Sequence, residues 1–267
     1  MIKLIVSDLD GTLIHHHSSI REEDVKGLHA MLEEGVAVAF ASGRMYPEID
    51  TVMKEIDRRV HSISQNGAYV HTSDGTLLSH HAFERELLLE LAGAAEGMPF
   101  LTMLCGPDSY FVERMNEHAR IIGARLMAPF HEIPHARELL GREVMCGKMS
   151  FFGDVERLRS LQEKLLGQYG ERIDAYISDI DCMDVMPRGV SKGTGLHALL
   201  KKLDVLPEET VCIGDSFNDL AMFSETPHSF AMGGAHPEVR AKAKHTAAYV
   251  ADVIAWVRAY NLREAGV

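Results

Sequence analysis

Little in this 267-residue chain is basic, cysteine-rich or continuously apolar, and each shortage closes off a class of protein. Lys and Arg number 27 against 39 Asp and Glu, a formal net charge of −12 at neutral pH. A chain so short of cations is not built as a general nucleic-acid binder, because that affinity rests on Lys and Arg neutralising phosphates. The four cysteines (Cys105, Cys146, Cys182, Cys212) stand 41, 36 and 30 residues apart. That spacing suits neither a zinc knuckle nor a small disulfide scaffold, and it is read as reduced, partly buried thiols of a cytoplasmic protein. No apolar run approaches the ~18 residues of a membrane span, since Glu90 interrupts even Leu87 to Ala95. Asp8 and Asp10 stand where a signal peptide needs its apolar core, so export is not expected. Fixed-period repeats and low-complexity tracts are missing apart from His15-His16-His17, which is read as exposed. The single Trp256 is read as core packing.

What remains is globular in composition, with 46 % hydrophobic and 25 % charged residues. Lys3 to Ser7 and Val36 to Ala41 suit buried central strands of a parallel sheet. Between them Val25, Leu28, Met31 and Leu32 recur at helical spacing, and Gly35 is a stop. Ile49, Val52, Met53 and Ile56 make a second helical face. The same rhythm returns late in the chain. Helices are expected at Leu196 to Leu203, Leu220 to Phe223, around Val239 and over Val250 to Tyr260, with strands at Thr210 to Ile213 and Ser229 to Met232. Strands alternating with helices predict a doubly wound α/β layer.

The middle differs. A hairpin (Ala68 to His71 with Thr76 to Ser79) leads into a mixture of helices and strands, with a loop around Pro129 and Pro134. The expected organisation is a core of residues 1–81 and 187–267, with an inserted α+β domain over 82–186 and Pro187-Arg188-Gly189 as the return linker.

Two acidic motifs end core strands. Asp8-Leu9-Asp10-Gly11-Thr12 follows the first strand, and Gly214-Asp215-Ser216-Phe217-Asn218-Asp219 follows Thr210 to Ile213. In open α/β sheets, ligands sit at the carboxyl ends of the strands. Either motif alone can be a polar turn or a helix cap. Together they crowd carboxylates that repel unless protonated or shared with a cation, and such oxygen donors suit Mg²⁺. Ser42-Gly43-Arg44 follows the second strand and is expected to open a helix, where a hydroxyl and backbone N–H groups can meet a phosphate oxygen. Lys192 opens the helix of Leu196 to Leu203. Taken singly, Ser42 reads as a helix cap and Lys192 as a solvated lysine, and their value is in combination.

These four elements, in this order, resemble the four motifs of the haloacid dehalogenase superfamily, and most of all those of its Cof-type hydrolases. Asn66-Gly67-Ala68 and Gly189-Val190-Ser191-Lys192-Gly193 also look like that subfamily. The resemblance implies a Rossmann-like core with an α/β cap. Only 29 residues separate Thr12 from Ser42, whereas 147 separate Arg44 from Lys192. The large insertion therefore follows the second motif, unlike that of members with a helical cap after the first.

The resemblance implies a Mg²⁺-dependent phosphatase of small metabolites, such as sugar phosphates, pyridoxal phosphate or flavin mononucleotide, acting through an aspartyl-phosphate. Asp8 is then the nucleophile, Asp10 the general acid and base, and Lys192 the catalytic cation. Asp8, the Asp10 backbone carbonyl, Asp215 and Asp219 are the implied metal ligands. Leu9 through its N–H, Ser42, Gly43, Lys192 and Asn218 are the implied phosphate donors. Arg44 and Asn66 are implied to face the leaving group, and Thr12 to support the loop. Lys148 is either a substrate contact or a solvated lysine at a strand end. A phosphomannomutase-like mutase and a phospho-accepting sensor are the competing functions. Neither nucleic acid nor membrane is expected as a partner, and the chain is expected to be a monomer or weak homodimer.

Overall fold

A computed structural model of the chain describes residues 1–15, 19–124, 126 and 129–266. They form two compact units, Met1–Arg44 with Ile49–Ser79 and Ser191–Val267, and Met45–Glu48 with His80–Val190. Of His15-His16-His17, residues 16 and 17 and the side chain of His15 fall outside what the structure describes, and with them the expectation of exposure.

The chain begins with β1 (Leu4–Ser7), α1 (Glu22–Glu33), β2 (Ala37–Ala41), α2 (Tyr46–Glu55), β3 (His61–Ser64), β4 (Tyr69–His71) and β5 (Leu77–His80). The second unit supplies α3 (Arg85–Ala94), β6 (Leu101–Cys105), β7 (Tyr110–Val112), α4 (Glu117–Gly123), β8 (Phe130–Glu132), α5 (Ala136–Leu139), β9 (Lys148–Phe152), α6 (Val155–Tyr169), β10 (Ile173–Asp179) and β11 (Cys182–Pro187). The first unit resumes with α7 (Lys192–Leu203), β12 (Thr210–Gly214), α8 (Leu220–Phe223), β13 (His228–Met232), α9 (Pro237–Lys242), β14 (His245–Ala247) and α10 (Val250–Glu264).

The sheet of the first unit has the order β14-β13-β12-β1-β2-β3-β4-β5. It is parallel from β14 through β3 and turns antiparallel at β4. Alternating side chains cover both faces. Leu4 and Val6 of β1 pack with Leu196 and Leu199 of α7 and Met222 of α8. Ile5 between them packs with Leu28 of α1 and Val253 and Val257 of α10. The α1 stop is a Schellman turn: Gly35 (φ +81°) donates to Leu32 O and Val36 to Met31 O, at 3.1 and 2.9 Å. Trp256 is partly buried, stacked on Tyr260 and edge-on to Phe230.

The chain runs outward from β1 through β2 to β3 on one side, and through β12, β13 and β14 on the other. Connections thus diverge between β1 and β12, and at such a switch point the loops leave a crevice over the carboxyl ends.

The second unit is a sheet of order β8-β7-β6-β9-β11-β10, antiparallel except between β7 and β8. Leu87, Leu88 and Leu91 of α3 and Leu158, Leu161 and Leu165 of α6 cover one face, against Met149, Phe151, Met183 and Val185. Strand alternation puts Lys148, Ser150, Cys182 and Asp184 on the opposite face. Lys148 is buried and pairs with Asp184 at 3.3 Å, so it is not a solvated strand-end lysine. The expected loop around Pro129 and Pro134 contains β8, a short strand parallel to β7.

All four cysteines are free and buried, deeper than their spacing suggested. Burial pushes the Cys105 and Cys182 thiols up to about 12, which makes them poor nucleophiles.

Candidate active site

At the switch point, Asp8 leaves β1 with its N–H bonded to Ile213 O of β12 at 2.9 Å. The motif then turns sharply, with Leu9 O accepting from Thr12, Leu13 and Ile14. Gly11 has φ +80°, and a Cβ there would stand 2.3 Å from Asp215 Oδ2. Only glycine lets the first acidic loop lie this close to the second. Thr12 is fully buried and its hydroxyl donates to Asp215 Oδ1 at 3.4 Å, joining the same two loops.

Lys192 reaches the site from the first turn of α7. Ser191 caps that helix: its hydroxyl accepts from Thr194 N–H at 3.2 Å, and Thr194 Oγ1 accepts from Ser191 N–H at 3.0 Å. The ammonium is 1 % exposed and donates to Asp8 Oδ1 at 2.5 Å and Asp219 Oδ1 at 2.7 Å. The other Asp219 oxygen accepts the N–H groups of Asp215 and Ser216 at 2.8 and 2.9 Å. One carboxylate thereby anchors both the lysine and the second acidic loop. Gly214 permits this, since a Cβ there would lie 2.3 Å from Asp219 Cγ.

Asp8, Asp215 and Asp219 each present an oxygen within 4.8 Å of the others. Three carboxylates against one ammonium leave an excess of negative charge. Burial, reinforced by Asp219 and only partly offset by Lys192, pushes the Asp8 carboxyl up to about 8. Burial and Asp219 raise Asp215 as well. Burial works against the charge on Lys192, but Asp8 and Asp219 outweigh it and hold the ammonium above its ordinary range. A hard divalent cation would relieve this surplus, and the all-oxygen donor set fits one.

A third loop adjoins these two. Ser42-Gly43-Arg44 does not open a helix as expected, because α2 starts at Tyr46. Instead Ser42 Oγ accepts the Arg44 N–H at 3.2 Å. Ser42 O and Arg44 O accept from Asn66 and Gln65 N–H at 2.9 and 2.8 Å. Gln65, Asn66 and Gly67 all take positive φ, at 47°, 55° and 103°. Two non-glycine residues in this region mark stored strain, held by the contacts around them. Gly67 is required by a further approach, as a Cβ there would be 2.0 Å from Ser191 O. Asn66 Oδ1 accepts from Asn218 Nδ2 at 3.0 Å, linking this turn to the second acidic motif.

The structure thus brings Asp8, Asp215, Asp219 and Lys192 into one cluster and ties Ser42, Gly43, Asn66 and Asn218 around it. The Asp10 carboxylate lies outside the acidic cluster and pairs with Arg44 at 2.5 Å. Gln65 and Thr194 are site-building residues outside the motifs, and Gly67 and Ser191 lie inside motifs that gave them no role. The doublet Asn66-Gly67 was a signal for a tight turn there.

A family model described as haloacid dehalogenase-like hydrolase matches residues 5–256. An HMP-PP phosphatase of Klebsiella pneumoniae is 27 % identical over 250 residues, spanning 92 % of this chain and 89 % of that protein. An HMP-PP phosphatase of Escherichia coli is 28 % identical over 247 residues, with the same two shares. Among solved structures, a Thermotoga maritima protein superposes with a TM-score of 0.87 at 25 % identity, covering 95 % of this chain and 97 % of its own. A haloacid dehalogenase-like hydrolase of Bacteroides thetaiotaomicron gives 0.86 at 23 % identity, covering 96 % and 100 %. The chain belongs to the haloacid dehalogenase-like hydrolase family, as an enzyme of its phosphatase class.

Proposed function

We propose that this enzyme is a Mg²⁺-dependent phosphatase of small phosphorylated metabolites, such as sugar phosphates or cofactor phosphates, and that it works through an aspartyl-phosphate on Asp8. The observation that carries the reading is the buried Asp8–Lys192–Asp219 chain beside Asp215 at the switch point. The HMP-PP phosphatase relatives support a small phosphorylated metabolite as substrate.

Asp8 attacks phosphorus, and Lys192 orients that carboxylate while offsetting the charge of the phosphoryl group. Asp8, Asp215 and the backbone carbonyl of Asp10 would hold Mg²⁺, which when bound offsets the repulsion between carboxylate and phosphate. Asp219 has both oxygens engaged, so it serves the site by fixing Lys192 and the Asp215 loop. Ser42 accepts from the Arg44 N–H, and its own hydroxyl proton donates to a phosphoryl oxygen together with the N–H groups of Leu9 and Gly43 and the Asn218 amide. Asp10 protonates the leaving alcohol and later takes a proton from the hydrolytic water. Arg44 and Asn66 stand toward the leaving group, and the inserted domain of residues 82–186 is the expected specificity element.

The test is phosphate release from a panel of sugar phosphates, pyridoxal phosphate, flavin mononucleotide and HMP-PP. Release that needs Mg²⁺ and stops with EDTA or Asp8→Asn is the expected result. Release that persists in Asp8→Asn overturns the nucleophile, and release undiminished by EDTA overturns the metal.

A further inference from the structure

We propose that Arg44 is a positioning residue for the Asp10 carboxylate, gripping both its oxygens so that the acid/base group is held in one orientation. The inference rests on the reading of Asp10 as general acid and base given above. Arg44 Nε donates to Asp10 Oδ2 at 2.8 Å, and Nη2 donates to Oδ1 at 2.5 Å. This two-pronged contact matches the planar fork of a guanidinium, and a lysine ammonium cannot reproduce it.

Each end of the pair is tied to its own backbone. The Arg44 N–H and carbonyl are bonded to Ser42 Oγ and Gln65 N–H. On the other side, the residue after Asp10 bonds to Ile14 O at 3.0 Å and lies against Asp215. The Asp10 side chain is 57 % exposed and that of Arg44 24 %. A carboxylate that open to water has several rotamers available, and an exposed single-point ion pair would do little to choose among them. A fork anchored at both backbones chooses one.

The chemistry fits an anion held in this way. In the first half-reaction a lone pair of an Asp8 oxygen forms a bond to phosphorus. The bond from phosphorus to the leaving oxygen breaks, its electron pair stays on that oxygen, and the oxygen takes the proton from Asp10. In the second, the water oxygen bonds to phosphorus, the bond to Asp8 breaks with its pair returning to Asp8, and a water proton passes to Asp10. Between the two steps Asp10 is ionised, with both oxygens acceptors. The fork of Arg44 keeps the Asp10 carboxyl aimed at the leaving oxygen in the first step and at the water in the second.

The experiment compares phenyl phosphate with 4-nitrophenyl phosphate, whose leaving group departs with little help from a proton. Wild type, Arg44→Ala, Arg44→Lys, Asp10→Asn and the Ala/Asn double variant are assayed after thermal melts show each folded. Arg44→Ala is expected to lower kcat on phenyl phosphate about 10–100-fold, and on 4-nitrophenyl phosphate about tenfold less, with KM little changed. Arg44→Lys should resemble Arg44→Ala, and the double variant should be no slower than Asp10→Asn. Equal losses on both substrates, a rise in KM with kcat intact, full activity in Arg44→Lys, or additive losses overturn the proposal. A crystal structure of Arg44→Lys in which Asp10 keeps its rotamer overturns it as well. An Asp10→Asn variant indifferent to the leaving group removes the reading of Asp10 itself. A sensitive Asp10→Asn beside an indifferent Arg44→Ala removes only the role of Arg44.

Discussion

Lys192 and Lys148 are both buried, at 1 % and 8 % exposure, and each meets a buried aspartate. In both, burial opposes the ammonium charge and neighbouring carboxylates outweigh it. Their surroundings differ. Lys192 sits among three carboxylates borne by loops at the ends of parallel strands. Lys148 sits within an antiparallel sheet, facing Asp184, whose other oxygen accepts from Ser150 Oγ at 2.5 Å. The second cluster is balanced, one cation to one anion with a neutral donor. The first is two anionic charges in excess if all its acids ionise. Burial of an ion pair is thus a poor sign of function, because satisfied pairs also occur as structure. Imbalance is the better sign, since uncompensated buried charge calls for an ion or substrate to balance it.

The contrast can be broken most sharply at Asp8. Asp8→Asn should cost at least ~10³-fold in phosphate release, as loss of a nucleophile does, while the cation-free protein gains about 1–2 kcal/mol of stability. The sign follows from its carboxyl, raised to about 8 in the fold from 3.8. Between those values the folded state binds more protons than the unfolded one, so this group makes stability fall as pH rises from about 4 to about 8. Thermal unfolding in EDTA across that range should show the variant's advantage growing with pH. An advantage independent of pH would break the account.

The balanced cluster should behave in the opposite way. Lys148→Met strands a buried carboxylate and should cost about 3–5 kcal/mol in denaturant unfolding. Adding Asp184→Leu should recover most of it. A double variant no more stable than the single would show that the pair is not a charge-balanced structural unit.

The smallest effect is expected at Ser191→Ala, which removes the α7 cap and should lower stability by about 1 kcal/mol. Because Lys192 is the next residue, kcat should fall measurably in the same variant while KM holds. An unchanged kcat would mean that the two aspartates alone fix the lysine.

Much of the fold was legible because it is local. Leu4 to Ser7 and Thr210 to Gly214 are short buried runs, each followed at once by its acidic motif. The strand His61–Ser64 is not legible in the sequence because it reads polar, although His61, Ser62 and Ser64 are buried in the sheet. Hydroxyl and imidazole side chains in a buried strand carry no apolar periodicity to detect. Ser42 reads as a helix opening because a hydroxyl after a strand is the ordinary sign of one. Its loop instead bonds to the turn at Gln65-Asn66-Gly67.

By itself the sequence determined the alternation of strands and helices and the carboxylates at strand ends. These depend on side-chain periodicity and on neighbours a few residues apart. Only the tertiary structure decided that Lys192 bridges Asp8 and Asp219, that Asn218 bonds Asn66, and that Arg44 grips Asp10. Those partners are 184, 27, 152 and 34 residues apart in the chain. Contacts at such range are set by sheet order and by which glycines let two loops touch, and no local pattern encodes them.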